Sequence, residues 1–151
     1  MTVSWHEGPR DELRPLFEEA DDSAQQRAEY AHLGRVLVAR DGDRVLGHLQ
    51  LLTDGDEAEL KSMAVVESER GTGLGRRLVD AAVDHCRAEG LRRLVVSTAA
   101  AGVGELRFYQ RVGFRMLSVE RDAFTAATGY PDGIEINGIP LRDRVWLDLL
   151  L

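Results

Sequence analysis

The stretch Leu60-Lys61-Ser62-Met63-Ala64-Val65-Val66 reads as a strand, and Arg70-Gly71-Thr72-Gly73-Leu74-Gly75 follows it as a glycine-rich turn. From Leu74 to Glu89 the pattern becomes helical: Leu74, Leu78, Ala81, Ala82 and Cys86 form one apolar stripe, with Arg76, Arg77, Asp80, Asp84 and Arg87 mostly off it. Glycines at 71, 73 and 75 leave backbone N–H groups bare where the helix begins. Bare amides, the positive end of the helix dipole and the absence of Cβ atoms together make a cradle for a phosphate group. A strand and a helix followed by the continuous apolar strand Leu94-Val95-Val96-Ser97-Thr98 imply a right-handed crossover and a parallel pair.

Working outward, the N-terminal side reads as a short strand at Val3–His6 and a helix from Pro9 that Pro15 either kinks or delays. Ser23-Ala24-Gln25-Gln26 reads as a capping box for a second helix ending at Gly34. Strands at Arg35–Arg40, Arg44–Leu52 and Glu57–Val66, joined by Asp-Gly turns, form an antiparallel meander. On the C-terminal side, 102–112 reads as a short helix, Phe114–Glu120 as a strand, 122–140 as loop and Leu141–Leu150 as the last strand.

The 151 residues suit one domain, 1–151, with one core. Hydrophobic residues make up 44% and charged residues 30%, a soluble, globular composition. No apolar run approaches the roughly 18 residues of a membrane span, so no membrane partner is expected. The first residues lack the pattern of a signal peptide, and Cys86 is the only cysteine, which makes a reducing cytoplasm the expected compartment. A net charge of −7 argues against a nucleic-acid partner and is compatible with a cationic substrate. The four His are scattered without ligand spacing, so no metal is expected.

Which phosphate the loop holds is narrowed by what is missing. Gly75 is followed by Arg76-Arg77 rather than the Lys-Ser/Thr of an ATP- or GTP-binding loop. Gly71, Gly73 and Gly75 are one residue short of the dinucleotide fingerprint. Arg70-x-x-Gly73-x-Gly75, after a strand and opening a helix, resembles the pyrophosphate motif of the GCN5-related N-acetyltransferases (GNAT). Phe108-Tyr109-Gln110-Arg111-Val112-Gly113-Phe114 resembles that family's second signature, and the order of elements is similar over nearly the whole chain.

The resemblance implies a mixed α/β, mostly antiparallel sheet of about seven strands with a splayed central parallel pair and about four helices. It implies acetyl-CoA as co-substrate and an amine as acceptor. Cofactor contacts would fall to Met63, Ala64 and Val65, to Arg70, Gly71, Thr72, Gly73, Leu74, Gly75 and Arg76, and to Phe108 and Arg111. Tyr109 would be the acid that protonates the departing thiolate, and the N–H of Val65 or Val66 would meet the oxyanion. The family often carries an Asn where this chain has Gly102.

For the base, Glu59 leads, because it shares side-chain parity with Met63 and Val65 unless a bulge intervenes. Asp56, Glu57, His48 with Gln50 on its face, and a water chain are the alternatives. In the 122–140 loop, Phe124 and Tyr130 are candidates to shape a pocket, and Asp122, Asp132 and Glu135 to meet a cation. Cys86 reads as a core residue. The run Trp146–Leu151 would either fill the core or pair across a homodimer. A non-catalytic CoA-binding module and a phosphate-binding protein unrelated to CoA are the other readings.

Overall fold

The meander and the crossover meet in a single seven-stranded sheet, described for residues 1–151 by a computed structural model. The strands are β1 (Thr2–Trp5), β2 (Arg35–Asp41), β3 (Arg44–Asp54), β4 (Glu57–Val65), β5 (Arg93–Ala99), β6 (Arg115–Glu120) and, last in the chain, β9 (Arg144–Leu150). They lie in the order β1-β2-β3-β4-β5-β9-β6, and only β4 and β5 run parallel. The helices are α1 (Arg14–Ala20), α2 (Ala24–Tyr30), α3 (Leu74–Ala88) and α4 (Val103–Arg111). The 122–140 segment is not wholly irregular: it holds a 3-10 turn at Ala126–Thr128 and a two-residue hairpin of β7 (Glu135–Ile136) and β8 (Ile139–Pro140).

The parallel pair is the feature that makes room for a ligand. β4 and β5 pair from Glu57↔Arg93 to Leu60↔Val96 and no further, although β4 continues to Val65 and β5 to Ala99. Beyond Leu60 the two strands separate, as the family resemblance implies, and β4 carries an edge with unpaired backbone groups.

A bulge in β4 changes which side chains share a face. The β3 partners run Gln50↔Ser62 and then Leu51↔Leu60, so Lys61 is the extra residue on β4. Ala58 and Leu60 before it belong to the 19-residue core under α3, and Met63 and Val65 after it pack against that same core. Glu59 therefore faces the opposite side of the sheet from Met63 and Val65, and the shared parity expected for it does not hold.

That core takes Leu74, Leu78, Val79, Ala82, Val83 and Cys86 from α3, so the helical stripe is the buried face. Cys86 is fully buried and its thiol pKa is pushed up by burial, as befits a small core residue. On the other face Leu13, Phe17, Tyr30, Val36 and Val38 form a second, smaller core beneath α1 and α2. β9 pairs on both sides, with β5 and β6, and Leu147 is fully buried. Leu147 thus fills the core, while the pairing with β6 stops at Asp148 and Leu150 stays exposed.

Local signals were met with two differences. Pro15 sits in the first turn of α1, where its missing N–H costs nothing, so it delays the helix rather than kinking it. Ser23 caps α2, its Oγ accepting from the Gln26 N–H at 3.1 Å. The capping box is only half made, because the Gln26 side chain donates instead to the Thr128 carbonyl at 2.9 Å. Ser23→Ala is expected to lower stability by about 1 kcal/mol in a denaturant titration. Gly34 does not end α2, which stops at Tyr30. It is required by close approach: a Cβ there would lie 2.2 Å from the Leu51 carbonyl oxygen.

Candidate active site

The separation of β4 and β5 opens a cleft of about 910 Å³. One end is the glycine loop, the middle is β4 facing β5 and α4, and the far end lies between the α1–α2 junction and the 122–140 segment.

The loop end has the expected construction. Gly73 is the N-cap of α3 at φ +88°, with no side-chain cap, and Gly71 is also left-handed at φ +77°. The first intrahelical bond comes from the Arg77 N–H to the Gly73 carbonyl, so the N–H groups of Leu74, Gly75 and Arg76 have no partner within the helix. Gly75 is a different case, since a Cβ there would meet the Met63 Cε at 3.2 Å and the Phe108 ring at 3.4 Å. The Thr72 Oγ1 donates to the Glu69 carbonyl at 2.6 Å, which braces the loop from behind. Arg70 does not point freely at a phosphate: its guanidinium is paired with Glu19 of α1 at 2.7 Å.

Met63, Ala64, Val65, Arg70, Gly71, Gly73, Leu74, Gly75, Arg76, Phe108, Tyr109 and Arg111 all line this one cleft, whereas Thr72 and Glu59 do not. Tyr109 is 7% exposed, its ring set edge-on to Phe108 and Phe114 with centroids 5.2 and 5.6 Å away. Burial, with the Glu105 charge adding to it, pushes its phenol further above its ordinary range, so the proton stays on at neutral pH. At position 102 a Cβ would stand 2.9 Å from the Glu105 Oε2, so that carboxylate crowds the space a larger residue would need.

The backbone of β4 separates the two oxyanion candidates. The Val66 N–H donates to the Leu46 carbonyl at 2.9 Å and is spent. Because strand amides alternate in direction, the Val65 N–H is turned to the edge that β5 has left.

The sequence candidates for a base are engaged elsewhere. Glu59 lies 3.9 Å from Lys61, Asp56 pairs with Arg92 at 3.3 Å, and Glu57 pairs with Arg93 at 3.0 Å. His48 is fully buried, its Nε2 2.8 Å from the Ser62 Oγ and its ring 4.4 Å from that of Phe17. Burial pulls its pKa down to about 3. Gln50 donates to the Tyr30 and Leu33 carbonyls at 2.7 and 2.9 Å, tying the end of α2 to β3. No group of three or more His, Cys, Asp or Glu stands together as a metal site, and no helix is long and apolar enough to cross a membrane.

The far end holds residues that the sequence reading missed. Asp21 accepts from the Tyr30 hydroxyl at 2.7 Å and from the Tyr130 hydroxyl at 2.8 Å. Phe124 and Tyr130 line the cleft as expected, but Asp122, Asp132 and Glu135 do not. Asp21 and Tyr130 are 109 residues apart, and no local signal connects them.

A splayed parallel pair, a glycine loop at a helix N-terminus and a buried tyrosine meet in one cleft, the arrangement that the resemblance to the acetyltransferases implies. Residues 2–114 match the family described as "Acetyltransferase (GNAT) family", and the chain belongs to it. The uncharacterized N-acetyltransferase YvbK of Bacillus subtilis (strain 168) is 33% identical over 99% of this chain and 97% of its own. A Bacillus subtilis acetyltransferase solved in complex with CoA superposes with a TM-score of 0.88 at 33% identity, over 99% of this chain and 97% of that one. A GNAT family acetyltransferase from Elizabethkingia anophelis with acetyl-CoA bound gives 0.90 at 26% identity, over the same 99% and 97%.

Proposed function

We propose that this acetyltransferase moves the acetyl group of acetyl-CoA to the nitrogen of a small cationic primary amine, by direct attack while both substrates are bound. The observation that carries this reading is that the cleft joins the bare-amide loop to Tyr109 along the open edge of β4. The CoA and acetyl-CoA held by the two related structures support the choice of acyl donor.

Each part of the chemistry then has a group. The amides at 74–76, with Arg76 and Arg111, take the pyrophosphate. The amides of the pantetheine arm pair with the edge at Met63–Val65 as an added strand would, displacing the long contact from the Arg70 Nε to the Val65 carbonyl at 3.4 Å. The amine nitrogen attacks the thioester carbonyl, the oxyanion forms against the Val65 N–H, and the C–S bond breaks as Tyr109 gives its proton to the sulfur. With Glu59 turned away and the other candidates engaged, the proton leaving the amine passes to water in the cleft rather than to a dedicated side-chain base.

Arg70 carries a smaller expectation. Its exposed pair with Glu19 competes with the phosphate for one guanidinium, so Glu19→Gln is expected to tighten CoA binding by about twofold to threefold in calorimetry. Direct transfer is tested by initial rates with both substrates varied and by intact-protein mass. Intersecting reciprocal plots and no acetylated protein are expected. Parallel plots with an acetyl group left on the protein would overturn it.

A further inference from the structure

The geometry points to Asp21 as the residue that reads a second cationic group on the acceptor, so that the preferred substrates are diamines or larger polyamines. The inference rests on the amine-transfer reading above and concerns the far end of the same cleft.

Asp21 is held as a fixed charge. The Tyr130 hydroxyl and the Ser23 N–H donate to its Oδ1 at 2.8 and 3.0 Å, and the Tyr30 hydroxyl donates to its Oδ2 at 2.7 Å. A carboxylate offers about four acceptor positions, which leaves Oδ2 able to accept from a ligand. Tyr30 and Tyr130 are both buried, and burial with the Asp21 charge raises both phenols, so they remain donors and the carboxylate remains the acceptor. Phe124 stands edge-on to Tyr130 at 4.9 Å and completes an aromatic wall, a surface that favours cations over anions.

The balance of charge at this end is decided by who is already paired. Lys61 leans over the Tyr30 ring and toward Glu59, and Arg144 pairs with Glu120 at 3.3 Å while lying over Phe124. Glu19 is taken by Arg70. Arg27 donates to the Asp21 backbone carbonyl, not to its carboxylate. Asp21 has no cation within salt-bridge distance, so the uncompensated charge facing the cleft here is negative. The nitrogen that accepts the acetyl group must react as a neutral amine, so it cannot be the cation Asp21 holds. A second ammonium on the same molecule satisfies both demands.

The test is calorimetric titration of the CoA-loaded protein with linear alkyl diamines and with the monoamines of matching chain length. The wild type is expected to bind the best diamine at least about tenfold more tightly than its monoamine, as desolvated charge pairs allow. Asp21→Asn, which keeps the shape, with its oxygen still accepting from Tyr130 and its amide nitrogen donating to the Tyr30 hydroxyl, is expected to abolish that preference while leaving CoA affinity unchanged. Equal binding of diamine and monoamine by the wild type, or a preference that survives D21N, would overturn the inference. The wild-type comparison decides even if D21N does not fold. Diamine preference without any acetyl transfer would sink the catalytic reading and leave the cation site standing.

Discussion

Tyr109→Phe is expected to lower kcat by at least about a hundredfold while CoA affinity stays within about twofold of wild type. The ring contributes packing against Phe108 and Phe114, and phenylalanine keeps that packing. What is lost is one hydroxyl on a buried residue lining the cleft, the group proposed to give its proton to the departing sulfur. Because burial holds that proton on the phenol, the proposed acid is loaded at neutral pH. Steady-state rates with calorimetry on the same preparation separate chemistry from binding. Unchanged kcat would remove Tyr109 from the acid role.

The second large effect is on acid stability. The His48 imidazole is held down to about 3 by burial, whereas in the unfolded chain it titrates near its ordinary ~6.5. The unfolded state thus binds a proton that the folded state refuses. The contribution of neutral His48 is fully present above about pH 6.5 and is lost as the pH falls toward 3, at up to about 1.4 kcal/mol per pH unit. His48→Gln keeps a partner for Ser62 and removes the titration. Between pH 7 and pH 4 the wild type is expected to lose about 3 kcal/mol more than the variant, read from denaturant midpoints at each pH. Parallel losses would show that His48 does not govern the acid limb.

Both residues show what a sequence can and cannot disclose here. Tyr109 lies in a local motif on α4, and Gly71 and Gly73 announce themselves because a left-handed backbone at a helix start demands glycine. The loop, the α3 stripe and the β4–α3–β5 crossover are set by neighbours in the chain and were legible. The bulge at Lys61 depends on how β3 pairs with β4, and one extra residue there turned Glu59 to the wrong face. Gly34 looked like a helix terminator but answers to the Leu51 carbonyl on a neighbouring strand. The Asp21 clasp joins the α1–α2 junction to a loop near the other end of the chain. Tertiary pairing made each of these, and periodicity carries no trace of it.

Acetyl transfer to an amine is the activity proposed for this cleft. Free-thiol release from acetyl-CoA, followed across a panel of primary amines, decides whether it occurs. Release that depends on the amine and yields an equimolar acetylated product is the predicted result. Tight CoA binding with no amine-dependent release across the panel would contradict it and leave a CoA-binding module without catalysis.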